Sequence, residues 1–207
     1  MSHAERLSKN NQYYDRYAQK VGARSEKRDF SRAFASFTRH VDKSSVILDI
    51  GCGTGNHLKQ FQAKGFLVLG VEPSVGMRKI AYDAGLPVIE GTFETLEKLA
   101  LPKVGGVWCA ASLLHVALAD FPGVLKKIAA LLSTGAPLFL TVRLGEGEES
   151  DKFDDESGDV ERHIQLFTEP YLTDQLGRAG FTLAERWIED STWGKPAKWI
   201  SIIARKG

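Results

Sequence analysis

A chain of 207 residues, 43% hydrophobic and 26% charged, is long enough to bury a sizeable core and falls within the usual size of one domain. Its 27 Lys and Arg nearly balance its 26 Asp and Glu, so it lacks the excess positive charge that draws a protein onto nucleic acid or an anionic membrane. Cys52 and Cys109 cannot build a disulfide framework, no apolar run approaches the roughly 18 residues of a spanning helix, and the first residues (MSHAERLSKNNQ) lack the apolar segment of a secretion signal, which places the protein in the cytoplasm.

From residue 13 to about 41 the chain is charged and aromatic. Tyr13, Tyr17, Phe30, Phe34 and Phe37 recur at mostly helical spacing without an internal proline, which predicts one or two helices ahead of the core. The period then changes: residues 46–50 form a short apolar run ending in a glycine cluster, the pattern of a buried strand feeding a tight turn. Residues 58–64 fit a helix stopped by Gly65, 66–71 a second strand, 77–84 a helix stopped by Gly85, and 87–89 a third strand. A fourth strand follows at 105–110, a helix at 121–132 and a very apolar fifth strand at 137–142. This alternation predicts right-handed βαβ crossovers and a parallel sheet with helices on both faces.

After Arg143 the pattern breaks. Residues 145–159 hold eight acidic side chains against one lysine, with three glycines, and read as a mobile loop. Thr168 begins a helix ending before Gly180, and two late β-like runs, 181–188 and 198–204, joined through Gly194 and Pro196, predict an antiparallel hairpin at the sheet edge. The whole reads as one domain over 1–207, with a helical lid over 1–43 and the ligand-binding core over 44–207.

The turn after the first strand carries the chemistry. Gly51, Gly53 and Gly55 can take positive φ and have no Cβ, so a ligand can approach the main chain where strand becomes helix. A dinucleotide fingerprint would place a third glycine at position 56, where this chain has Asn56, so the turn fits a nucleoside without a pyrophosphate. About twenty residues on, Glu72 ends the second strand, and a carboxylate there can accept hydrogen bonds from both ribose hydroxyls.

The strings LDIGCGTG (48–55) and VEPSVGM (71–77) resemble those of class I S-adenosylmethionine-dependent methyltransferases. The resemblance implies a Rossmann-like, seven-stranded, mostly parallel sheet with an antiparallel C-terminal hairpin, and S-adenosylmethionine as cofactor, leaving as S-adenosylhomocysteine. It assigns the methionine portion to the glycine turn and the ribose to the acid after the second strand, matching Asp49, Gly51, Gly53, Gly55 and Glu72, with Met77 packing on the adenine. Cys52 within the turn, Pro73 beside Glu72 and Ala110 at the end of the fourth strand complete the expected contacts. The adenine pocket of the family also uses the turn after the third strand, here 91–94. Thr92 stands where many members carry an acid, and Phe93 offers a backbone N–H and an apolar ring, or is a plain core residue. Gly106 replaces an aspartate common before the fourth strand.

On the acceptor side, His115 in AASLLH (110–115) follows the fourth strand, where an imidazole can act as base, orient the acceptor, or only cap a helix. Arg143 and Arg162 offer guanidinium forks for an anionic acceptor, or pair with the carboxylates around them. N-terminal helices in the family often cover the acceptor, which makes Tyr13 and Tyr17 lid residues or core packing. The remaining histidines show no metal spacing, so no metal site is expected. The Asn/Asp-Pro-Pro-Tyr string of amino-methylating nucleic-acid enzymes is missing after the fourth strand, which favours a small-molecule acceptor. An RNA-modifying methyltransferase, a nicotinamide-dependent oxidoreductase and a non-catalytic cofactor-binding regulator are the competing readings.

Overall fold

A computed structural model of the chain describes residues 3–152, 160–191 and 196–207. The N-terminal segment folds as three helices rather than one or two: α1 (His3–Arg16), α2 (Ala18–Ser25) and α3 (Ser31–Thr38). Backbone non-helical at Tyr17 separates the first pair. Asp29, whose carboxylate accepts the Ser31 N–H at 2.8 Å, ends the link to the third.

Strand and helix then alternate as the periodicity requires: β1 (Val46–Ile50), α4 (Asn56–Ala63), β2 (Leu67–Glu72), α5 (Val75–Asp83), β3 (Val88–Glu90), β4 (Val104–Ala110), α6 (Phe121–Leu131) and β5 (Pro137–Arg143). They are followed by β6 (Glu148–Lys152), β7 (Glu161–Gln165), α7 (Glu169–Arg178), β8 (Phe181–Asp190) and β9 (Lys198–Lys206). The main sheet has seven strands in the order β3-β2-β1-β4-β5-β9-β8. Its first five strands run parallel, and β9 lies antiparallel to both β5 and β8. The link expected through Gly194 lies outside the described residues.

The two-residue period of a strand divides the core. Leu48 and Ile50 of β1, Val107 and Cys109 of β4, and Leu138 and Leu140 of β5 face α6 and α7. Ile47, Trp108 and Phe139 face α3 and α4 on the other side. There Trp108 stacks on Phe139 at 4.0 Å and meets Phe34, Phe37 and Phe61. Gly106, inside β4, leaves the room this layer needs: a Cβ there would stand 2.7 Å from Phe37 Cζ. Among the described residues no helix is long and apolar enough to cross a membrane.

The acidic stretch corrects the expectation of a loop. Glu148–Lys152 is a strand paired antiparallel with Glu161–Gln165, from Glu148 opposite Gln165 to Lys152 opposite Glu161. Arginines relieve the carboxylate repulsion: Arg6 of α1 meets Glu148, Arg143 at the end of β5 meets Glu149 at 2.6 Å, and Arg162 of β7 meets Asp151 at 2.6 Å. Residues 153–159 of that stretch lie outside the described residues.

Candidate active site

The glycine turn joins β1 to α4 at the carboxyl edge of the sheet. Gly51, Gly53 and Gly55 all take positive φ, +76°, +57° and +82°. Two of them are also closed by packing, since a Cβ at Gly51 would lie 2.4 Å from Ser112 Cβ and one at Gly55 2.2 Å from Leu86 Cδ1. Gly53 differs: a Cβ there would meet only Met77 Sδ, at 4.0 Å, so bare main chain borders open space. Beside it stands Glu72, 6% exposed, whose carboxylate accepts the N–H groups of Gly53 and Ser74, each at 2.9 Å. Burial pushes its pKa up to about 7 against the opposing pull of those two donors and Arg78. Asp49 lies beneath the turn, fully buried, with neither oxygen hydrogen-bonded among the described residues. Burial, and then the nearby Glu72, hold its carboxyl well above the usual carboxylate range.

Two clefts open from this edge. The first, of about 100 Å³, is bordered by Tyr14 of α1, Glu72, Pro73, Thr92, Phe93 and Ser112. The Phe93 N–H has no partner among the described residues, and Thr92 Oγ1 accepts the Glu94 N–H at 3.2 Å, closing its own turn. The second cleft, of about 360 Å³, lies between α2, the glycine turn and the start of β9. The clefts share Gly51 and Ala111. Ala111 is the one non-glycine described residue at positive φ (55°), held there by its N–H to Thr141 O at 3.1 Å. A strained residue where two clefts meet is the kind of backbone that functional sites retain.

The expected residues divide among these surfaces. Gly51, Glu72, Pro73, Thr92, Phe93 and His115 border the first cleft. Cys52, Gly53, Ala110, Arg143 and Arg162 border the second. Asp49, Gly55 and Met77 lie behind the turn and reach neither cleft. Tyr13 of α1 and Tyr17, between α1 and α2, are 1% and 3% exposed and pack ring to ring at 5.1 Å. The residue of this group that borders a cleft is Tyr14.

His115 sits in a polar joint. Its Nδ1 lies 3.0 Å from His163 O and 3.1 Å from the Asn10 amide nitrogen, and its Nε2 lies 2.7 Å from the Tyr14 hydroxyl. Arg162 donates to that hydroxyl at 2.9 Å, and Asn10 Oδ1 accepts the His163 N–H at 2.7 Å. Loss of water around the ring, and then Arg162, push its pKa down to about 3, so the imidazole is neutral with both nitrogens engaged. It ties α1 to β7.

The family described as a methyltransferase domain matches residues 14–186. The chain belongs to this family. A curated protein of Alkaliphilus oremlandii described as an uncharacterized methyltransferase is 52% identical over 48 residues, 23% of this chain and 22% of that one. Another, from Oceanobacillus iheyensis, is 40% identical over 58 residues, 27% of each chain. The matched stretches therefore span 22% and 27% of those relatives' lengths. Among solved structures, the 1,6-didemethyltoxoflavin-N1-methyltransferase of Burkholderia thailandensis, crystallised with 1,6-didemethyltoxoflavin and S-adenosylhomocysteine, superposes with a TM-score of 0.76 at 19% identity. That match covers 100% of this chain and 91% of that one. A SAM-dependent methyltransferase of Methanosarcina mazei gives 0.71 at 20% identity over 82% of this chain and 95% of that one. At such identities the structures establish a shared fold.

In this methyltransferase domain the two expected anion-binding arginines already hold carboxylates of β6: Arg143 pairs with Glu149, and Arg162 takes Asp151 through two donors at 2.6 and 3.2 Å. Sequence reasoning missed Asn10 and Tyr14, whose i, i+4 spacing with Leu7 and Asn11 forms one helical face along the first cleft. It also missed Asp15, which accepts from Ser74 Oγ at 2.6 Å and Gly76 N at 2.9 Å and clamps α1 to the start of α5. Among the described residues no three His, Cys, Asp or Glu side chains cluster to hold a metal ion.

Proposed function

We propose that this methyltransferase domain transfers the methyl group of S-adenosylmethionine to a small molecule held in the second cleft. The observation that carries this reading is the open face of Gly53, on the second cleft, beside the Glu72 carboxylate, on the first, the two clefts meeting at Gly51 and Ala111. The donor set fits the cofactor: bare main chain suits the methionine portion, a buried carboxylate suits a pair of ribose hydroxyls, and the unpartnered Phe93 N–H with Pro73 and Thr92 suits an adenine edge. When bound, S-adenosylmethionine supplies a methyl group already activated by its sulfonium.

What remains for the chain is to hold the acceptor in line and exclude water, and positioning of this kind supplies much of the acceleration in such transfers. Ala110 and Ala111 present no side-chain bulk at the junction. Residues 1–43 act as the lid of a single domain: α1 borders the first cleft and α2 the second. Gly51, Cys52 and Gly53 floor the passage between them, while Asp49, Gly55 and Met77 support the turn from behind. His115 positions Tyr14 and Arg162 over the site, and Tyr13 and Tyr17 anchor the lid. We place the reaction in the cytoplasm, in keeping with two buried free cysteines. Asn56, whose amide donates to Gly22 O at 3.2 Å and Ser25 Oγ at 2.8 Å, fills the position a dinucleotide site leaves to glycine, which favours this reading over a nicotinamide enzyme. Calorimetry with S-adenosylhomocysteine tests it. Saturable one-to-one binding is expected, and heat indistinguishable from dilution would overturn it.

A further inference from the structure

The second cleft contains a cation, Arg28, that forms no ion pair with a carboxylate of the described residues. Arg28 follows α2 and reaches inward, its guanidinium carbon 4.1 Å from the Trp199 ring centre and 4.9 Å from that of Phe30. Its one side-chain hydrogen bond among the described residues is to a neutral group, Thr141 Oγ1, at 3.3 Å. No carboxylate of the described residues lies within 4 Å of it, in contrast to Arg143 and Arg162 in the same cleft wall. Burial lowers its pKa to about 10, against the raising effect of Glu189, so it keeps its charge at neutral pH. The acids bordering the cleft, Asp29, Glu189 and Asp190, are exposed at its mouth.

A second donor flanks the same phenylalanine. The His57 ring meets Phe30 at 4.7 Å, edge to face. Trp108 Nε1, which can only donate, points at His57 Nδ1 at 3.2 Å, so Nδ1 accepts and the ring proton is on Nε2. Burial, and then Arg28, push its pKa down to about 4, which keeps this tautomer neutral and donating at physiological pH. Two donors, one charged, thus stand against Phe30 in the cleft that Ala110 also lines.

We infer that the methyl acceptor is a planar molecule bearing an anionic group, its ring lying among Phe30 and Trp199 and its carboxylate or comparable oxyanion bound by Arg28 with His57 Nε2–H as second donor. This rests on the reading of the second cleft as the acceptor site. A guanidinium desolvated on aromatic rings gains most from a ligand that brings its own negative charge, and an uncharged isostere leaves that charge uncompensated.

The full chain, saturated with S-adenosylhomocysteine, is titrated by calorimetry with benzoate, benzamide and benzylamine. Benzoate is expected to bind about tenfold or more tightly than benzamide, with benzylamine weakest, as one charge-assisted hydrogen bond implies. Arg28→Gln removes the preference while leaving S-adenosylhomocysteine affinity unchanged, which also shows that the variant is folded, and Arg28→Lys restores part of it. Equal binding of benzoate and benzamide, a preference for benzylamine, no saturable benzoate binding, or an undiminished preference in Arg28→Gln each overturns the inference. Failure of S-adenosylhomocysteine itself to bind would sink the methyltransferase reading first, and this one with it. Cofactor binding without benzoate preference sinks only this one.

Discussion

Gly53 and Glu72 meet over one hydrogen bond, and each sets a different demand on the site. At Gly53 the φ of +57° costs an alanine about 1 kcal/mol, a modest loss of stability, because no packed atom stands in the way. The same methyl group would occupy the space where a ligand must touch the main chain. Gly53→Ala is therefore expected to fold with a slightly lowered melting temperature and to lose tenfold or more of its affinity for S-adenosylhomocysteine, about 1.4 kcal/mol. Unchanged affinity in calorimetry would show that the ligand passes elsewhere. At Glu72 the demand is on protonation. Its free carboxyl is half-protonated at about pH 7, while ribose hydroxyls donate best to the ionised form. Binding then expels a proton, so affinity should climb as pH rises from about 5 to about 7 and level off above. Titrations in buffers of different ionisation enthalpy would reveal that proton, and affinity that is flat or falls over this range would contradict the assignment.

The elements show a second logic, in which α1 is held by polar contacts at both of its borders. Arg6, Asn10 and Tyr14 reach β6, β7 and His115, and Asp15 reaches α5. His115 is the titratable member of that joint. An unfolded histidine takes up a proton near pH 6.5, but this one resists until about 3. Unfolding therefore gains a proton between those values, and the stability this group contributes at neutral pH is lost as pH falls through that window. Glutamine at position 115 can still accept from Tyr14 and cannot titrate. Between pH 7 and 5, His115→Gln should lose about 1 to 2 kcal/mol less stability than the parent in urea unfolding. Parallel losses in both proteins would show that the ring is already charged or exposed.

How far the elements could be read in advance follows from the same contrast. The short apolar run of β1, the glycine stops after α4 and α5, and the cap Thr168, which accepts the Tyr171 N–H at 3.4 Å, are local signals, and the chain obeys them. Glu148–Lys152 is not local. Its carboxylates are matched by Arg6 of α1, far away in the chain, and by Arg143 and Arg162, which face them only once β6 has paired with β7 beside the end of β5. Similarly, the glycine turn and Glu72 were visible as a pattern, whereas Arg28 and His57 became interesting only once Phe30 and Trp108 stood between them. His115 was visible by position, but the groups occupying both ring nitrogens come from α1 and β7.

For the whole molecule the strand order decides where chemistry happens. Placing β1 between β2 and β4 brings the glycine turn, Glu72 and Ala110 to a single edge at the carboxyl ends of parallel strands, where ligands of open α/β sheets bind. Adding β9 antiparallel beside β5 carries Trp199 to the same edge, opposite Arg143 in the register, and so supplies a wall of the second cleft. The N-terminal helices then close the edge from above, and the β6-β7 ribbon joins them through the arginine pairs. A crystal structure of the chain with S-adenosylhomocysteine examines this arrangement in one step. The methionine portion is expected on the main chain at Gly51 and Gly53, the ribose hydroxyls on the Glu72 carboxylate, and the sulfur facing Ala111 and the second cleft. Density for the ligand away from the glycine turn, or Glu72 turned away from its sugar, would contradict the account.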